Sequence, residues 1–186
     1  MAQDLHAAPA AFQAALRSIK GARTRHDVVL VETPAPTRIA PYAIAINGEV
    51  MQTDAEATGR FVLLHDPAGN DAWGGDFRVV ALVKAQVEAE VGADDMWAEV
   101  AWSWLGDALE GVAHTARGGT VTKNVSRSFG VLADREPEVL VELRVSWTPT
   151  SSDIEPHLIA WTELLAFSAG VPPTPDGVTA LHGRSM

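Results

Sequence analysis

The sequence predicts an α+β fold, a single domain with an antiparallel sheet and helices packed on one face. Three observations carry this. Phe77, Val79, Ala81, Val83, Ala85, Val87 and Ala89 alternate with mostly polar or charged residues. Val139, Val141, Leu143, Val145 and Trp147 alternate with Leu140, Glu142, Arg144, Ser146 and Thr148. Each run is followed by a tryptophan-bearing stretch at helical spacing, residues 96–109 and 154–169. A period of two sends one row of side chains to a buried face and the other toward water.

Residues 1–8 are expected to form a flexible tail, 9–170 the single domain and 171–186 a partly ordered tail. Pro9 suits the first turn of a helix in which Phe12, Ala15, Leu16 and Ile19 recur on one side and Gly21 ends the run. Residues 28–32 are a short apolar run and read as a strand. Pro34, Pro36 and Pro41 make the next link irregular or place it along a sheet edge. Residues 44–51 read as a hairpin with a type I′ turn at Asn47-Gly48, because both residue types tolerate positive φ. Residues 61–64 are another apolar strand, and a ten-residue loop is expected over 67–76.

The alternating run from Phe77 is longer than an ordinary strand, so it should bend or stop near Glu88. In the next helix Trp97, Val100, Ala101, Trp104, Leu105 and Ala108 share one arc, with Trp102 at its border. Residues 114–130 suggest one or two short strands. Pro149 ends the second alternating run, Asp153 is the expected N-cap of the last helix, and Gly170 with Pro172 and Pro173 stops it. Leu158, Ile159, Trp161, Leu164, Leu165 and Ala166 cover most of that helix, and Phe167 points away. Such all-round apolarity means deep burial or a partner surface.

A chain of 186 residues suits one domain with a core large enough to need no staples. There is no cysteine, which rules out a thiolate nucleophile and any cysteine metal site. With 24 acidic against 14 basic residues the net charge is −10, so a phosphate backbone would be repelled and no nucleic acid is expected. Arg17, Lys20, Arg23 and Arg25 are read as cations complementing the end of the first helix. No transmembrane stretch or signal peptide is recognisable, which makes a cytoplasmic protein with no membrane partner the expectation.

Phosphate loops, dinucleotide fingerprints and nucleophile elbows are absent from the sequence. The six histidines show no metal-ligand spacing, so neither a metal nor a cofactor is expected. His65-Asp66, at a strand end before the glycine-rich loop, is the most site-like spot, because loops held by a sheet often carry function. An Asp-Pro turn is the plainer reading. Asp71 lies in the same loop. Trp73 there is either an exposed binding aromatic or a lid folded on the core, the second being favoured. Trp102 is a candidate partner contact. Arg117 and Arg127, in a basic run with Lys123 and Arg135, are candidate ligands for a small anion, although a solvated strand face is commoner.

Residues 34–43, 57–69, Trp102-Ser103-Trp104-Leu105 and Ser146-Trp147-Thr148-Pro149 together resemble an actinobacterial family catalogued as a domain of unknown function, number three thousand of its series. The resemblance spans about 9–182 and implies no catalytic residues. The order of elements also resembles small α+β chaperones that bind secretion substrates. The functional expectation is a non-enzymatic, acidic protein-binding or adaptor module, chaperone-like, engaging a protein partner or a second copy of itself. The rival is an enzyme of unfamiliar type with a site at the Asp66–Asp76 loop, drawing on His65 or His114.

Overall fold

A computed structural model describes residues 8–51, 57–88 and 96–171. Ten of the elements expected or newly seen are placed by it. They are α1 (Ala10–Gly21), β1 (Val28–Thr33), β2 (Tyr42–Val50), β3 (Ala57–Asn70), β4 (Gly75–Val87), α2 (Trp97–Ala108), β5 (His114–Ser126), a short 3₁₀ turn (Gly130–Leu132), β6 (Glu138–Pro149) and α3 (Glu155–Ser168). The strands form one antiparallel sheet in the order β1-β2-β3-β4-β6-β5. The fold is the expected α+β domain. The proposed tails at 1–7 and 172–186, and Ala89 at the end of the first alternating run, lie outside the described residues. Ala8, assigned to the tail, is buried and belongs to the core.

The alternation works as expected. Phe77, Val79, Ala81, Val83 and Ala85 on β4 face the helices with Val139, Val141, Leu143, Val145 and Trp147 on β6, all buried. Phe12 and Ala15 of α1, Trp97, Ala101 and Leu105 of α2, and Leu158, Trp161, Leu164 and Leu165 of α3 close this core. Burying side chains of this size is worth about 1.5–3 kcal/mol each, which makes the helix-facing side the main source of stability. The nearly all-round apolar α3 is deeply buried rather than a partner surface. Nine of its residues are buried, and Phe167 is half-buried. Its start is held from α1, where the Ser18 hydroxyl accepts the Ile154 amide at 2.9 Å. The cap therefore falls one residue later than expected, with Asp153 accepting from the Glu155 amide at 3.3 Å.

Residues 44–51 do not form a hairpin. β2 runs unbroken through Asn47-Gly48, and Gly48 pairs with Leu30 on one side and Gly59 on the other. The glycine serves packing rather than a turn. A Cβ at Gly48 would lie 2.7 Å from Trp161 Cη2, and one at Gly59 would lie 2.9 Å from Trp161 Cζ2. The paired glycines make the dent into which the α3 tryptophan sits.

The expected ten-residue loop is shorter. β3 and β4 extend into it, leaving a tight turn at 71–74, with Asn70 accepting amides through its carbonyl and its side chain. Residues 114–130 hold one long strand rather than short ones. Arg25, read as a helix-end cation, is instead buried in an ion cluster with Asp27 at 2.6 Å and Glu163 at 2.9 Å, joining the start of β1 to α3. On the face opposite the helices, Ala43, Ala45, Val62 and Leu64 form a small second core beneath Ala35, Ala40 and Trp73.

Candidate functional site

Most of the residues singled out in the sequence gather near the start of β5, and Arg127 lies alone past its end. Asp66, Asp71 and Trp73 sit on the β3–β4 hairpin. Trp102 and Arg117 lie beside the first half of β5, and Arg127 follows its last residue.

Among the described residues, the hairpin does not bring its singled-out side chains together. His65 and Asp66 are neighbours in a strand, so their side chains leave on opposite faces. His65 is 1 % exposed, stacked between Phe12 and Phe77, and its Nδ1 lies 3.0 Å from the Asp76 carbonyl. The Asp66 carboxylate accepts the Ala68 amide at 3.1 Å, the plain turn-forming role. Asp71 is exposed in the turn. Trp73 is half-buried as a lid on the second core, and its carbonyl accepts the Thr148 hydroxyl at 2.6 Å. Neither of two grooves on the described surface is lined by these residues. One, of about 380 Å³, crosses the open sheet face between Val31, Asn47, Arg60 and Lys84. The other, of about 430 Å³, lies between α1 and the β1–β2 edge and is lined by Leu16, Ile19, Leu30 and Ile46. His114, invoked for the rival reading, has its Nδ1 2.7 Å from the Val112 carbonyl. Its neighbour His157 accepts the Trp147 indole N–H at 3.0 Å. Burial, and less strongly His114, pushes the His157 imidazole down to about 4. Among the described residues no three histidines or carboxylates are grouped to hold a metal ion.

The hairpin and β5 are joined by a residue that the sequence reading passed over. Arg78 sits on the polar row of β4, and its guanidinium donates to the Thr148 hydroxyl and the Ala116 carbonyl, each at 2.9 Å, and to the Ser146 hydroxyl at 2.6 Å. These oxygens are neutral, and no carboxylate among the described residues pairs with this arginine. Burial accordingly lowers its pKa from the usual guanidinium value. Its polar-row position was visible in the sequence, but its cross-strand partners depended on pairing order.

Opposite Arg78, β5 carries a bulge. Thr115 pairs with Thr148 and Gly118 with Ser146, so Ala116 and Arg117 together face Trp147. Ala116 takes a positive φ of 50° there. Bulges re-aim side chains. This one lays Arg117 over Trp102, its guanidinium carbon 5.5 Å from the ring centroid. Trp102 is thus half-buried, with the Arg117 guanidinium over its ring.

Beyond the bulge β5 is an edge. Only β6 pairs with it among the described strands, and every residue of its thirteen is exposed or half-exposed. At about 3.3 Å per residue the unpaired side from Gly118 to Ser126 runs roughly 30 Å. The opposite edge, β1, has six residues and leads into a proline-rich segment, two of the ways in which edges are blunted. β5 has no proline. It ends beside Val125, 51 % exposed, and runs into an apolar turn where Phe129 is 79 % exposed and Val131 fully so. The sequence reading missed this turn. The signal was the run Phe129-Gly130-Val131-Leu132 inside a polar stretch, where nothing else would bury it.

Residues 8–179 match a family model described as "Protein of unknown function (DUF3000)". The chain belongs to the DUF3000 family. The matched span takes in every strand and helix of the sheet domain, so the β5 edge is part of the DUF3000 unit. No curated protein and no solved structure matches the chain. Among the described residues of this DUF3000 domain, no helix is long and apolar enough to cross a membrane.

Proposed function

We propose that this DUF3000 domain is a non-enzymatic protein-binding module that takes an extended segment of a partner as an added strand on β5. One observation carries the reading: a long unpaired strand edge that ends in an exposed apolar turn. An open edge presents a row of backbone N–H and C=O groups, and proteins normally cover or blunt it. Strand addition satisfies those groups, while neighbouring side chains supply specificity. Val125, Phe129 and Val131 give the added segment apolar surface at the end of the row. The groove on the open sheet face sets Glu49, Thr58 and Lys84 side by side on β2, β3 and β4, but Glu49 and Thr58 are exposed, so this row lacks the enclosed pocket that favours catalysis.

The test is photo-crosslinking in cells that make the protein. A benzophenone amino acid replaces Phe129 in one variant and Ile39, an exposed residue in the link between β1 and β2, in another. The expected result is a discrete adduct from position 129 that position 39 does not give. That adduct should fade when Val125 and Val131 are both changed to aspartate. Identical adducts from the two positions, or none from either, would overturn the reading.

A further inference from the structure

The geometry points to an acidic, extended peptide segment as the partner strand on β5, an inference that rests on the strand-addition reading above. The chain as a whole is strongly acidic, yet residues 111–133 contain no aspartate or glutamate. The same stretch holds Arg117, Lys123 and Arg127. Arg117 lies at the bulge, and Arg127 immediately follows the last residue of β5; both are exposed. The edge is therefore flanked by guanidinium groups, which favour carboxylates by charge-assisted hydrogen bonds.

A second copy of β5 fits less well. Self-pairing about a two-fold axis would bring two strands together that carry cations and no carboxylates, and like charge across an interface suppresses the wrong partner. Nucleic acid also fits less well. Arg117 and Arg127, roughly 33 Å apart along the strand, neutralise few phosphates, and the −10 charge of the whole chain opposes a polyanion. A peptide supplies both the complementary backbone row and a few carboxylates.

The pattern of the occupant follows from β5. Gly119, Val121, Lys123 and Val125 lie on the helix-facing side, because they pair with Val145, Leu143, Val141 and Val139 of β6. Thr120, Thr122 and Asn124 lie on the other side. An added strand should alternate valine-like with threonine-like residues and carry glutamates near both ends.

The experiment uses fluorescence anisotropy with the full chain and two labelled peptides. Both alternate valine and threonine; one carries glutamate near each end and the other lysine. The glutamate peptide should bind at least about tenfold more tightly at low salt. In the double variant Arg117→Glu and Arg127→Glu the preference should invert. Both side chains are exposed, and an unchanged thermal midpoint confirms that the variant folds. Equal binding of the two peptides overturns the acidic occupant while leaving strand addition in place. So does binding of neither peptide when the position-129 crosslink persists. Loss of that crosslink as well removes both readings. A wild-type dimer that the glutamate peptide does not dissolve, or tighter binding of polyuridylate than of the glutamate peptide, also overturns the proposal.

Discussion

Substituting Gly48 by alanine tests whether this residue is a packing glycine or a turn glycine. The added Cβ would sit 2.7 Å from Trp161 Cη2, 3.1 Å from Leu165 Cδ2 and 3.2 Å from Leu30 Cδ2. Carbon atoms rest at about 3.5–4.0 Å, so the indole would have to retreat by close to 1 Å inside a packed core. Overpacking of this kind costs ~1–3 kcal/mol. Replacing a strand glycine returns ~0.5 kcal/mol. The expected net loss is therefore about 1.5 kcal/mol. Gly48 is not among the glycines with positive φ, so the backbone itself should accept alanine. The assay is a double-mutant cycle with Trp161→Leu, read by denaturant unfolding followed by circular dichroism. In the leucine background Gly48→Ala should cost less than about 0.5 kcal/mol, giving a coupling of at least about 1 kcal/mol. A loss of about 1.5 kcal/mol in both backgrounds would refute the packing argument.

Three further outcomes follow from buried polar groups. His157 is buried neutral and titrates at about 4 when folded, below the ~6.5 of an unfolded histidine. Its contribution is complete above pH ~6.5 and is lost as pH falls through the folded value, and His157→Gln should flatten that part of the stability curve by ~2–3 kcal/mol, measured by unfolding at each pH. The Arg25 guanidinium, hydrogen-bonded to Asp27, holds that carboxyl below the ordinary range. Asp27 therefore stabilises the fold above the unfolded carboxylate value of ~3.9, and the contribution falls away in more acid solution. Asp27→Asn should cost about 3 kcal/mol at neutral pH, the low end for a broken buried pair because Glu163 still holds Arg25. Arg78→Lys should cost ~1–2 kcal/mol in the same assay, since one ammonium cannot replace a fork that reaches three oxygens.

Where one signal sufficed, the fold was legible. Alternation over β4 and β6 fixed which valines point inward, because a strand buried on one face has no other register that hides them. The three helices and their glycine or proline stops were equally local. Asn47-Gly48 misled for a physical reason: the same dipeptide that fits a tight turn also leaves room for a large ring, and only the position of Trp161 distinguishes the two. The candidate site was less legible because its parts are far apart in the chain. Trp102 and Arg117 were each visible alone, but their stacking depends on the β5 bulge. Arg78 needed the pairing of β4 with β6 before its hydroxyl partners could be named. Phe129 and Val131 carried their own signal, an apolar run with no partner period to place it in a core.

The distribution of packing supports the proposal that a partner binds at β5 rather than elsewhere on the sheet. β2, β3 and β4 each have strands on both sides and α3 above them, and part of their open face is sealed by the second core. Opening any of these strands exposes buried leucines, phenylalanines or Trp161. β5 has one strand neighbour, and α2 touches it near the bulge through Arg117 over Trp102. Segments with few buried apolar contacts open at low free-energy cost, and binding elements are drawn from them. An added strand on β5 would give Val121 and Val125 a second neighbour and cover the exposed backbone row. The partner would then gain from completing a sheet that the described residues leave open, without disturbing the core that holds the rest of the fold.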